Sequence, residues 1–146
     1  MKKLILLGLL AFTFQVHAQS ARKVVSPHDY TTTCTRLEKA IRQAGLKLFA
    51  TYDHSLEAAA VGLTLDSVKV YVFGNPKAGT LLMQTNPAIA HELPLRISVY
   101  RSKQTVHLQY IAPESWIQAY GLESQAALLA RMEAILAGLC AEAVFD

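Results

Sequence analysis

The chain has 146 residues, 52% of them hydrophobic and 17% charged, with a formal net charge of +3. That length suits a single domain, and the composition excludes disorder, collagen and a cysteine-stapled miniprotein. The basic residues are scattered rather than clustered, so no stripe for nucleic acid is expected.

The first eighteen residues read as a secretory signal peptide. Lys2 and Lys3 precede an uncharged, largely apolar run from Leu4 to Phe14, and Val16-His17-Ala18 supplies the small residues of a cleavage site. The run is too short to cross a bilayer core, which takes about 20 residues. Cleavage after Ala18 is expected, with residues 19–146 forming one domain. Removing Lys2 and Lys3 leaves twelve basic residues against eleven acidic ones, a net charge of +1. Much of the positive mean hydropathy of +0.24 leaves with the leader. No later stretch approaches spanning length, so the expectation is a periplasmic or secreted protein without a stable membrane anchor.

A short strand is expected from Arg22 to Val25. Thr35 and Glu38 then have capping-box spacing, and Cys34, Leu37, Ile41 and Ala44 form the apolar stripe of a helix ending at Gly45. Lys47 to Tyr52 reads as a strand, and Asp53 or Ser55 can cap a short helix stopped by Gly62. Val68 to Phe73 alternates cleanly and is the clearest strand signal. Asn75-Pro76 and Asn86-Pro87 each pair an N-cap with a proline suited to the first helical position. Leu95–Tyr100 and Thr105–Ile111 read as a hairpin through Arg101 to Gln104. Pro113 to Tyr120 gives a short helix closed by Gly121, and Ser124 to Ala143 the longest one. The order predicts an α+β fold, with strand, helix, four strands and helix, and two main helices on one face of a mostly antiparallel sheet.

Cys34 and Cys140 both fall on apolar helical stripes. In an oxidising compartment they either join, stabilising the fold by about 4–5 kcal/mol in the chain-entropy model, or remain two separate buried thiols acting as small hydrophobes.

Alternation assigns Val68, Val70, Val72, Leu95, Ile97, Val99, Val106, Leu108 and Tyr110 to the face under the helices. The opposite face then carries Tyr71, Phe73, Arg96, Tyr100 and His107. Uncovered antiparallel faces are normally polar. This mixture of aromatic and basic residues reads either as a contact surface, foremost for a homodimer, or as cross-strand pairing that stabilises the sheet.

Gly74 to Thr80 superficially resembles a phosphate loop, but the lysine that must reach the phosphates is missing after Gly79. A small anion at the helix start with Asn75 and Thr80 is the weaker functional reading, and an N-capping Asn the plainer one. No HExxH and no zinc-type cysteine–histidine spacing occurs, so no metal or cofactor is expected. Asp53-His54, at a strand end beside a helix start, is the best acid–base candidate.

Tyr52-Asp53-His54, Gly74-Asn75-Pro76 with Gly79-Thr80-Leu81-Leu82-Met83-Gln84, and Leu93-Pro94-Leu95-Arg96-Ile97 together resemble the domain of unknown function 302 family over about residues 28–122. The resemblance implies a TATA-binding-protein-like fold with the element order read above. It implies no activity, and the fold name carries no implication of DNA binding. Some members have cysteines in the Asn-Pro turn and after the Leu-Pro pair. Here Gly74 and Leu95 stand there, so the resemblance implies no thiol or metal role at those positions.

These readings describe an exported, non-enzymatic domain that binds a small ligand or a partner protein and self-associates through the open sheet face. His54, Asn75, Thr80 and Arg96 are the expected ligand-binding residues, and Tyr71, Phe73, Tyr100 and His107 the expected interface. The alternative is a small periplasmic enzyme using His54 and Asp53 on an anionic substrate held by Asn75 or Arg96. Convergence of His54, Asn75 and Arg96 on one concavity would favour it.

Overall fold

The alternating segments become strands, and a computed structural model describes residues 20–145. In chain order the elements are β1 (Ala21–Ser26), α1 (Tyr30–Gln43), β2 (Lys47–Asp53), α2 (His54–Ala60) and β3 (Val68–Gly74). They continue with α3 (Pro76–Thr85), β4 (Leu95–Ser102), β5 (Thr105–Ile111), α4 (Trp116–Tyr120) and α5 (Ala126–Val144). The segment read as a signal peptide, residues 1–18, lies outside the described residues.

The strands form one antiparallel sheet in the order β1-β5-β4-β3-β2. This is the expected α+β architecture, with α1 and α5 packed together against the sheet, α2 and α3 inserted between strands, and α4 leading from β5 into α5. Leu37 and Ile41 of α1 meet Leu129, Leu136 and Cys140 of α5 over Ile97, Val99 and Leu108 of the sheet, all buried in one core. Each such aliphatic side chain contributes about 1.5–3 kcal/mol by leaving water. That burial holds α1, whose threonine-rich first turn has modest intrinsic helix propensity. A buried hydrogen bond of 2.8 Å between the Ser26 and Thr33 hydroxyls ties β1 to α1.

Helix α1 starts five residues before Thr35. Asp29 is its cap, with Oδ1 accepting from the Thr32 backbone N–H at 2.9 Å and Oδ2 from the Thr32 hydroxyl at 2.7 Å. The Thr35 hydroxyl instead donates back to the Thr31 carbonyl inside the helix. An aspartate cap satisfies the free N–H groups as well as the capping box would.

The face assignment of β3 is overturned. Tyr71 pairs with Ile97 and Phe73 with Leu95, and residues opposite each other across strands share a face. Tyr71 is 2% and Phe73 0% exposed, so both belong to the core and neither can form an interface. Val68, Val70 and Val72 lie on the helix-free face instead. Period-2 alternation tells which residues share a face, but not which face is inside when both are apolar. Strands β4 and β5, with one apolar set each, keep their expected orientation: Leu95, Ile97, Val99, Val106, Leu108 and Tyr110 are all buried.

Of the two alternatives for the cysteines, the structure holds the separate thiols. Cys34 and Cys140 are both buried and both free. Each takes the small-hydrophobe role in its own helical stripe, which positions a residue toward the core without setting the separation of two sulfurs.

Candidate functional site: an apolar cavity beside the start of α3

Strand β3 ends at Gly74, and the chain turns directly into α3. Asn75 Oδ1 accepts from the Lys77 backbone N–H at 2.9 Å, Pro76 occupies the first helical turn, and the Thr80 hydroxyl donates to the Pro76 carbonyl at 2.8 Å. These bonds anchor the first turn of a helix that buries only Leu82. Beside it opens a cavity of about 330 Å³.

Four parts of the chain make its walls: Leu46 and Phe49 around β2; Gly74, Asn75, Pro76, Ala78, Gly79, Thr80 and Met83 at the β3–α3 junction; Ala90 with Leu93, Pro94 and Leu95; and Met132 and Ile135 of α5. The β2–β3 pairing slips between Leu48 and Ala50, and Phe49 occupies that irregularity. Its ring approaches Gly74, where a Cβ would stand 3.7 Å from Phe49 Cε2. Leu93 closes similarly over Gly79, at 3.6 Å from the position a Cβ would take. The lining contains no aspartate, glutamate, lysine, arginine or histidine, and its polar side chains are those of Asn75 and Thr80. A concave apolar site with a few polar groups at one end is the usual form of a small-molecule pocket.

Of the four residues expected to bind ligand, the structure brings Asn75 and Thr80 together and leaves His54 and Arg96 outside this cavity. His54 is exposed at the start of α2. Its neighbour Asp53 caps that helix, accepting from the Ser55 hydroxyl at 2.6 Å and the Leu56 N–H at 3.3 Å, and it pairs with Lys69 at 3.2 Å. The Ser55 hydrogen bond, helped by Lys69 and Leu56 against the effect of burial, holds the Asp53 carboxyl below the usual carboxylate range. Asp53 is thus engaged in local structure, and the cavity does not bring His54 and Arg96 to Asn75.

Arg96 belongs to a second, smaller feature. Its guanidinium stands 4.0 Å from Glu92 Oε2, and Glu92 is only 5% exposed. The Tyr120 hydroxyl donates to Glu92 Oε1 at 2.8 Å. With Trp116, Glu92 and Arg96 border a void of about 30 Å³. That volume is one water molecule's share of liquid. The Trp116 indole N–H is buried without a hydrogen-bond partner among the described residues. Sequence reading missed this cluster because Glu92, Trp116 and Tyr120 share no local motif.

On the helix-free face, Tyr100 and His107 stand opposite each other with ring centroids 5.2 Å apart. The Lys23 ammonium lies 5.5 Å from the centre of the Tyr100 ring. Burial, reinforced by Lys23, lowers the His107 pKa below its usual value. Val68, Val70 and Val72 continue this surface toward Tyr52, which pairs with Val70 and is 54% exposed.

Comparison with known proteins places these features in a family context. The sequence model of the family described as "Domain of unknown function DUF302" matches residues 22–139, a wider span than the motifs alone delimit. The crystal structure of an uncharacterized conserved DUF302 protein from Bacillus stearothermophilus superposes with a TM-score of 0.76 at 18% identity, covering 84% of this chain and 97% of that one. Among curated proteins, fluoride-specific ion channel FluC 1 of Brucella suis biovar 1 (strain 1330) is 29% identical over 110 residues, 73% of this chain and 43% of the relative. FluC 2 of Brucella melitensis biotype 1 is similar at 29% identity, with 41% of its length covered. The chain therefore spans less than half the length of the curated relatives it matches.

Proposed function

The chain belongs to the DUF302 family, and we propose that it acts as a small-ligand-binding domain whose site is the apolar cavity beside α3. The observation that carries this reading is the cavity of about 330 Å³, walled by Phe49, Leu93, Met132 and Ile135 and bounded at one end by Asn75 and Thr80. Packed interiors leave few voids larger than a water molecule. A space ten times that size, open between α3 and α5, is favourable when a ligand fills it. The reading is non-enzymatic, because no acid–base pair or nucleophile lines the cavity. The fluoride-channel activity of the curated relatives is not extended to this chain. The match covers only part of their length, and no helix among the described residues is long and apolar enough to cross a membrane.

Native mass spectrometry of the expressed protein beside Gly79→Leu tests the site. A Cβ at Gly79 would stand in ordinary contact with Leu93 Cδ1 at 3.6 Å, and since both residues line the cavity a leucine there is expected to occupy part of it. A small-molecule adduct on the wild type and none on the variant is the expected result. An adduct retained by the variant, or absent from both, rejects this site.

A second reading concerns self-association. The helix-free sheet face carries Val25, Val68, Val70, Val72, Tyr52 and Tyr100, an apolar density that suits an interface with a second copy. Sedimentation should give a dimer for the wild type and a monomer for Tyr52→Glu, a change on an exposed side chain. Two monomers remove the claim.

Export follows from the leader-like residues 1–18, with cleavage after Ala18 and delivery to the periplasm or medium. An intact mass beginning at Gln19 is the result that agrees with it.

A further inference from the structure

Resting on the ligand-binding reading above, we infer that the cavity recognises the apolar body of its ligand and leaves the head group in water. The occupant is a single-tailed amphiphile that buries about ten carbons of its tail. Three observations carry this.

The first is the gradient of burial along the lining. Gly74, Leu95 and Met132 are buried, and Leu46, Leu93 and Ile135 are half-buried. The two polar side chains of the lining, Asn75 and Thr80, are exposed. The inner wall is therefore built from apolar side chains, and polar side chains meet the ligand only where water does. An apolar tail gains by leaving water at the inner wall. A head group beside Asn75 and Thr80 keeps its hydration and adds little, whatever its charge.

The second is the rim. Phe49 and Met83 line it at 42% and 37% exposed, so an apolar surface leads from solvent into the cavity. No ionisable side chain lines the cavity. The Lys47 ammonium, 5.3 Å from the centre of the Phe49 ring, belongs to an exposed residue. A charge pair in that setting changes affinity by at most about fivefold.

The third is volume. About 330 Å³, at roughly 30 Å³ per heavy atom, the share of a water molecule in the liquid, holds about ten atoms. That is one short tail and excludes the paired long tails of a membrane lipid. The thioethers of Met83 and Met132 adapt to the shape of such a chain.

The test uses these two methionines as reporters at the rim and the inner wall, since the only other methionine in the sequence is Met1. Protein carrying ¹³C-methyl methionine is titrated at pH 7 with alkanoates of six to fourteen carbons, below their micelle thresholds. Octanol and octylammonium are compared with octanoate. The Met83 and Met132 methyl signals are both expected to shift. Affinity should rise about threefold to fourfold per carbon from hexanoate to decanoate, as burial of one methylene at a time requires, and level off beyond about ten carbons. The three eight-carbon probes should bind within about fivefold of one another. A wider spread among them, an affinity independent of chain length, or a rise undiminished to fourteen carbons overturns the proposed class while leaving the cavity as a ligand site. If no probe moves the Met132 signal, or if its shifts persist undiminished in Gly79→Leu, the ligand-binding reading itself falls.

Discussion

Tyr71 stands opposite Ile97 across β3 and β4, and its hydroxyl donates to the backbone carbonyl of Cys34 in α1 at 3.3 Å. This single side chain fixes which face of β3 turns inward and ties that strand to the first helix. Burial, with the Cys34 sulfur nearby, raises the Tyr71 pKa well above the normal tyrosine range, so it stays a neutral donor. Tyr71→Phe should lose about 1 kcal/mol, the net value of one hydrogen bond. Tyr71→Glu should cost about 3 kcal/mol or more by burying an unpaired charge. Urea midpoints of the two variants measure this. Equal and small losses would place Tyr71 outside the core.

The same buried environment governs the thiols. Burial raises the Cys34 pKa, partly offset by the neighbouring Tyr71 and Tyr30 hydroxyls, and pushes the Cys140 thiol up to about 12. The thiolate is the reactive form, so both should resist alkylation at pH 8. Iodoacetamide is expected to leave the native protein unmodified and to add to both cysteines in denaturant without reductant. Protection that survives denaturation would instead indicate a bridge.

Asp53 gives stability a defined acid dependence. Its carboxyl titrates below its ordinary value of 3.8 because the ionised form is bound by Ser55, Lys69 and Leu56. A depressed folded-state pKa contributes stability in full above the unfolded value, and loses it as the pH falls through the lower folded value. Asp53→Ala should therefore cost about 1 kcal/mol at neutral pH through the lost α2 cap, and the gap to wild type should narrow below pH 3.8. Denaturation at pH 7 and in that acid range checks the sign. A gap that widens in acid contradicts the assignment.

Tyr120→Phe probes the buried carboxylate. The Tyr120 hydroxyl donates to Glu92 Oε1 at 2.8 Å, and the Arg96 guanidinium stands farther off at 4.0 Å from Oε2. Its removal should destabilise the fold by about 1.5–3 kcal/mol, the range for hydrogen bonds to charged groups. The double variant Tyr120→Phe with Glu92→Gln should recover part of that loss, as read by thermal or urea unfolding. Strictly additive losses would mean that the two side chains are not coupled.

Much of this molecule is written locally. Asp53, Asn75 and Asn86 act as the caps that their positions before short helical segments predict. The Gly121 backbone, at φ 61°, closes α4 as a left-handed residue suited to glycine. The alternations of β4 and β5 identify their inward faces because only one set in each is apolar. Such features depend on a few neighbouring residues, so they survive being read one segment at a time.

Tertiary packing decided the rest. Both sets in β3 carry large apolar residues, with Lys69 beside Tyr71 and Phe73, so only the register against β4 could choose Tyr71 and Phe73 over the valines. The cavity is assembled from residues as distant as Leu46 and Ile135, and the Glu92–Tyr120 contact spans 28 positions. Asn75 and Thr80 were legible as a helix start, but their apolar surroundings were not. The sequence by itself determined the elements and the caps at Asp53, Asn75 and Asn86, though not the Asp29 cap of α1, because these rest on interactions within a turn or two. The inward face of β3, the separation of His54 and Arg96 from Asn75, and the cavity depend on which distant surfaces exclude water together, and only the folded chain supplies that.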